Sequence, residues 1–194
     1  NGKQDFVRLS ATHIYQRRSN RPDGGMNGVE AFEIARRGVT LEALAPSQKM
    51  TDGQMDAAIP EDFERHIGEQ FKLENYVHLQ NLDLETTASI IQKTDKAVMV
   101  WFYFTSAEWK KTVPVVKDPK LSLTGVKTLR HSVGATDFTL YKGKKAIVRQ
   151  DSWGPETGDN GLRIITEDFF RQRCWFAAYP IRFVFQPSGD RPTF

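Results

Sequence analysis

The sequence predicts an α+β protein of two lobes, and three observations carry that prediction. Helix-like apolar spacing with capping residues fills most of the first 95 positions. From residue 96 onward, β-branched and aromatic runs alternate with turn residues. No internal repeat or low-complexity tract interrupts either part, and 194 residues suffice for one substantial core or two small lobes sharing a cleft. The expected division is therefore 1–95, helical, and 96–194, a largely antiparallel sheet, with a functional site expected in a cleft between lobes.

Ser10 is placed to cap a short helix through Ile14 and Tyr15. Asn27 with Glu30 three residues on opens a second helix in the manner of a capping box. That helix carries Val29, Phe32 and Ala35 on one face and stops at Gly38, after Arg36 and Arg37, cations suited to a helix C-terminus. Pro60 fits the first turn of a helix with Phe63 and Ile67 on one side, and Asp83 or Thr86 begins another that buries Ile90 and Ile91. The run Ala97 to Phe104 reads as a strand, followed by Val133 to Tyr141, Lys145 to Gln150, Leu162 to Ile165 and Trp175 to Phe185. Lys142, Gly143 and Lys144 read as a hairpin turn, and Thr166 as the cap of a short helix.

Composition narrows the class. Apolar residues at 39% and charged residues at 26% match an ordinary globular protein and argue against disorder. The longest apolar run is far shorter than the roughly 20 residues that span a bilayer, so no membrane partner is expected. The net charge of +3 is mild and its cations are dispersed, apart from Arg17-Arg18, Arg36-Arg37 and Lys142 to Lys145, which gives little support to nucleic-acid binding. Cys174 is the one cysteine, so no internal disulfide forms. The absence of crosslinks favours a reducing compartment, or a bacterial or viral source. The chain opens on Asn1 with no targeting signature.

Three histidines lack chemical context: His13 and His66 fall in predicted helices, and His78 in a polar loop. His131 differs. It precedes the predicted strand Val133 to Tyr141, and 20 residues later the next strand ends in Asp151-Ser152-Trp153-Gly154. Antiparallel pairing about Gly143 brings the start of the first strand close to the end of the second. A carboxylate beside an imidazole fixes its tautomer and orientation, which a general base or thiolate partner requires. A structural His-Asp hydrogen bond at a sheet end fits the spacing equally well.

The surrounding residues separate the two readings. Leu129-Arg130-His131-Ser132-Val133-Gly134, then Gln150-Asp151-Ser152-Trp153-Gly154, then Gly158-Asp159-Asn160-Gly161-Leu162-Arg163-Ile164 resemble, in order and spacing, the histidine and asparagine blocks of papain-like cysteine peptidases. Upstream, Leu9-Ser10 resembles that family's helix start and Pro22-Asp23-Gly24-Gly25 its Asn-Gly-Gly loop. The resemblance covers nearly the whole chain and is weak over residues 45–75 and 105–125. It implies a papain-like two-lobe fold with an incomplete helical first lobe and a barrel-like second lobe. It also implies that His131 is the catalytic base, that Asp151 stands where the family has its orienting Asn, and that Trp153 covers their bond. Gly24 and Gly25 would present backbone to an extended peptide or protein substrate. Met26, Trp101 and Leu129, with Arg130 alongside, would contact the substrate; Trp101 fits a core position as well. No metal or organic cofactor is implied.

The nucleophile departs from the pattern. In papain-like enzymes the cysteine precedes the histidine by about 130–150 residues, which places it ahead of Asn1. Cys174 follows the Asp151 block and reads as a small buried hydrophobe. The expectation is a cysteine peptidase whose Cys-bearing helix comes from another chain or an upstream segment, or else a noncatalytic peptide-binding or structural module of a larger assembly. Taken alone, the 194 residues would be inactive. Asp151 in place of Asn would favour imidazolium, and Arg130 would oppose it.

Overall fold

The structure, a computed structural model, describes residues 7–57, 71–150, 152 and 154–185. The chain divides into two compact units, one of residues 1–76 with 181–194 and one of residues 77–180. Residues 77–95, placed with the helical lobe by the sequence, fall in the second of these units. The reason is α4 (Leu84–Thr94), whose Leu84 and Ile91 are buried with Val98, Val100 and Phe102 in the core of the second unit.

In the first unit, α1 (Ala11–Tyr15) starts where Ser10 accepts a hydrogen bond from the His13 amide, as the capping residue predicted. Asn27 caps α2 (Gly28–Arg37) by accepting from the Val29 amide at 2.9 Å, and α2 ends at Gly38, whose φ of 137° suits glycine. A third helix, α3 (Asp52–Ala57), follows. Arg18 ties these pieces together. Its buried guanidinium donates to the carboxylate of Asp56 and to the carbonyls of Tyr15 and Asp23, so three segments share one charge. Phe32, Ile34, Ala35, Val39 and Leu73 are this unit's buried apolar residues, together with Ala45. The helix expected around Pro60, Phe63 and Ile67, with His66, lies outside the described residues.

Strand β1 (Phe71–His78) stands in the part of the chain where the sequence predicts mainly helices and loops. Four of its eight residues are polar and Leu73 is the one fully buried, so its alternation is faint. His78 accordingly ends a strand rather than occupying a loop.

The second unit carries β2 (Val98–Phe104), α5 (Ser106–Trp109), β3 (Leu129–Tyr141), β4 (Lys144–Gln150), β5 (Leu162–Thr166), α6 (Glu167–Arg173) and most of β6 (Cys174–Phe185). The sheet order is β1-β6-β2-β3-β4-β5, and the pairs β2–β3, β2–β6, β3–β4 and β4–β5 are antiparallel. On one face, Val98, Val100, Phe102 and Phe104 pack with Val133, Ala135, Phe169 and Phe170. Phe102 is fully buried and meets the rings of Trp109, Phe169 and Phe170 at centroid distances of 5.9, 5.9 and 5.6 Å. Thr166 caps α6 as the sequence predicted, and of the two candidates Asp83 and Thr86 it is Asp83 that caps α4. No helix among the described residues is long and apolar enough to cross a membrane.

His13, at 1% exposure, accepts a 2.9 Å hydrogen bond at Nδ1 from the Thr40 amide, which leaves the proton on Nε2, buried without a partner among the described residues. Burial, with Arg17 nearby, lowers its pKa from 6.5 to about 4. The unfolded chain takes up this proton first as pH falls, so the contribution to stability is complete above pH 6.5 and is lost on the way down to about 4. Urea titrations should show a loss of roughly 3 kcal/mol across that window from this group. In His13→Asn, whose amide oxygen can replace Nδ1 as acceptor, that component of the pH dependence should disappear.

Candidate active site

The hairpin predicted around Gly143 is present. Lys142 and Gly143 have φ of 51° and 76° and close a two-residue turn between the facing residues Tyr141 and Lys144. The ladder then runs to Gly134 opposite Gln150, with a bulge between Ala135 and Asp137 that leaves Thr136 unpaired. The end of β4 thus arrives three residues from His131 along β3. Asp151 and Trp153, which follow Gln150, lie outside the described residues.

His131 itself was expected just ahead of its strand. The structure carries the strand back to Leu129, because the aromatic end of β2 continues the ladder: Phe104 faces Leu129, Tyr103 faces Arg130 and Phe102 faces His131. Directly opposed residues project to the same side of a sheet. His131 and Leu129 therefore share the face of Phe102 and Phe104, while Arg130 shares the face of Trp101 and Tyr103. His131 is half-buried, and Leu129 (49%) and Arg130 are exposed.

Trp101 is 7% exposed and packs edge-on against Phe176 at 4.8 Å; Phe176 in turn stacks on His78 at 4.6 Å. The register sets Trp101 and Leu129 on opposite faces of the sheet, with Trp101 buried and Leu129 exposed. Gly24 and Gly25 are exposed in a loop after the cis Arg21-Pro22 bond. The Gly25 amide donates to the Tyr15 hydroxyl at 3.0 Å, and the Asn20 side-chain amide donates to the carbonyls of Gly24 and Gly25 at 3.4 and 3.3 Å. Met26 follows, half-buried, just before the Asn27 cap.

Trp109 is the residue near His131 that sequence reasoning missed. Its ring meets that of His131 at 6.2 Å and 90°, stacks on Phe104 at 3.9 Å and 4°, and carries the buried Arg149 guanidinium 4.0 Å over it. Backbone contacts hold the segment as well: Arg163 Nη1 donates to the carbonyls of Trp109 and Lys111 at 2.8 Å each. One residue before it, Glu108 sits in a buried ion pair with Arg173, whose Nη2 donates to Oε1 at 2.7 Å. Glu108 also accepts from the amides of Thr105 (2.8 Å), Lys117 (2.8 Å) and Asp118 (3.3 Å). Burial alone would raise its pKa, but Arg173 and these amides outweigh it and hold the carboxyl at about 2. Its signal in the sequence is limited to Thr105 with Glu108 three residues on, a capping box preceding no long helix.

Cys174 offers no activated thiol. It begins β6 beside Phe102, points its S–H toward the Phe176 carbonyl at 3.6 Å, and is pushed up to about 12 by burial. Downstream of the hairpin, Gly158 (φ 66°) approaches so closely that a Cβ there would lie 2.2 Å from the Leu162 carbonyl oxygen, which makes glycine obligatory in the turn into β5.

No protein-family model and no curated protein matches the sequence. Solved structures do match. A clostridial cysteine protease after propeptide cleavage superposes with a TM-score of 0.71 at 17% identity, covering 94% of this chain and 48% of that one. Bromelain from Ananas comosus with a bound inhibitor gives 0.67 at 18% identity, covering 92% and 80%. A digestive procathepsin L of the Tenebrio molitor larval midgut gives 0.63 at 17% identity, covering 92% and 57%. The chain has the papain-like cysteine-protease fold, as the blocks around His131 implied. It spans about half the length of the clostridial chain.

Removing one partner of the buried pair should be costly. Glu108→Ala should destabilise by about 3–5 kcal/mol in urea titrations at pH 7, with Glu108→Ala/Arg173→Met recovering most of the loss. The native pair's contribution is present above pH 4.5 and declines as pH falls towards 2. For the ring contact, Trp109→Leu should move the NMR resonances of the His131 ring protons, and Trp109→Phe should retain most of the native shift.

Proposed function

We propose that this chain is the histidine-bearing part of a papain-like cysteine peptidase. His131 acts as ion-pair partner of a thiolate and then as the acid that protonates the leaving amine, and Asp151 orients the imidazole. The observation that carries the reading is the placement of His131 on a strand inside a papain-like fold, half-buried and packed against Trp109, with the β3–β4 hairpin returning the chain to within three residues of it. Trp153 would shield the imidazole hydrogen bond. Gly24, Gly25, Met26, Leu129 and Arg130 are the residues proposed to contact an extended peptide. In this reading the nucleophile comes from polypeptide other than these 194 residues, since Cys174 is the one cysteine and burial pushes its thiol up to about 12.

A second reading is favoured by that same cysteine: a noncatalytic papain-like module that binds peptide or builds a larger assembly. The protein expressed from its complete gene decides between them. A thiol-reactive epoxide should label a cysteine other than Cys174, and His131→Ala should lower kcat/KM for a fluorogenic peptide by about 10³-fold or more. Absence of both labelling and turnover would establish the noncatalytic module. In the active protein, Asp151→Asn should shift the pH-rate profile, and an unchanged profile would remove the electrostatic role of Asp151.

A further inference from the structure

The run of lysines after Tyr141 has no part in the chemistry proposed for His131, from which Tyr141 lies roughly 30 Å along β3. Around it the second unit forms two adjoining hollows of about 520 and 690 Å³ that share Tyr141, Lys142, Thr166 and Asp168. Together they line up six cations, Lys110, Lys111, Lys142, Lys144, Lys145 and Arg171, against two carboxylates, Glu167 and Asp168. The excess of four exceeds the +3 of the whole chain. Lys145 is engaged by Glu85 at 2.6 Å and Arg171 by Asp168 at 3.0 Å. Lys110, Lys111, Lys142 and Lys144 form no ion pair among the described residues, and Lys142 stands 5.4 Å over the Tyr141 ring. Gathering like charges this way costs self-repulsion that an anionic ligand relieves.

The floor of the groove says which anion. Val113, Pro114, Val115 and Tyr141 line it, and Val115 is 54% exposed. A phosphate or sulfate chain has nothing to place on an aliphatic surface, whereas an extended peptide alternates its side chains between two sides. The nearby edge of the sheet is already engaged where the Ile164 amide donates to the Thr112 carbonyl at 3.0 Å, so recognition there rests on side chains rather than added strand pairing. We propose that this groove docks an extended acidic segment of a partner protein, with apolar residues on the Val113–Val115 floor and carboxylates on the lysine rim.

The test is fluorescence anisotropy with a short labelled peptide of alternating Glu and Leu, a Lys and Leu counterpart, and a heparin-derived oligosaccharide. The Glu-Leu peptide should bind in the micromolar range and weaken at least about tenfold between roughly 50 and 500 mM salt. Lys110→Gln/Lys111→Gln/Lys144→Gln should cost about tenfold or more with an unchanged melting temperature, and Val115→Ser should cost several-fold. His131→Ala should bind as the native chain does, which separates this proposal from the catalytic one. Salt-independent binding, equal binding of the Lys-Leu peptide, or native affinity in the triple variant would overturn it. An oligosaccharide that binds more tightly than the peptide and is indifferent to Val115→Ser would reassign the groove to polysaccharide.

Discussion

The ion pair between Glu108 and Arg173 is the constraint on which the rest of the second unit turns. Sixty-five residues separate the partners, and both side chains are removed from water. Such a pair gains little net stability, because desolvation consumes most of the attraction. Its effect is to leave a single arrangement that satisfies everything at once. The carboxylate collects three backbone amides besides the guanidinium, and Arg173 also donates to the Asp118 carbonyl, so the loop through Lys117 and Asp118 is folded back onto the same point. Trp109 is fixed next door, and through its ring so is the wall against which His131 packs.

Arginine recurs in this wall for a physical reason. Arg149 presents a flat cation to the indole face, and Arg163 reaches two carbonyls that no helix or strand would otherwise satisfy. The edge-on contact of Trp109 with the His131 ring at 6.2 Å adds an aromatic restraint on the orientation of that strand residue. Cys174, which faces Phe102 across the ladder from β6, is held protonated by burial, which pushes its thiol up to about 12.

Local chemistry was readable from the chain. Ser10, Asn27, Asp83 and Thr166 cap the helices they were expected to cap, since a cap depends on three or four neighbouring residues. The β3–β4 hairpin was equally legible, because a two-residue turn needs positive φ and Gly143 provides it. What escaped was nonlocal. β1 is a strand through its place in the sheet rather than through its composition, and the early start of β3 depends on Phe102 and Phe104. Nothing in the sequence near Glu108 points to residue 173. The faces of Trp101 and Leu129 could be assigned only from the register. The papain-like character was visible because its blocks cluster within the short stretch that the hairpin folds together.

The bulge at Thr136 bears on how such a domain can change. Side chains along β3 alternate, so each added or removed residue reverses the side on which everything beyond it emerges. By absorbing one residue, the bulge lets the arm near the turn keep a phase independent of the arm near His131. Length variation tolerated in the hairpin arm would be silent at the histidine, while the same change between Leu129 and Ala135 would exchange His131 for Ser132 on the core face. The two ends of one strand are in this sense separately inheritable: the outer arm can drift in length and surface while the inner arm is held to parity.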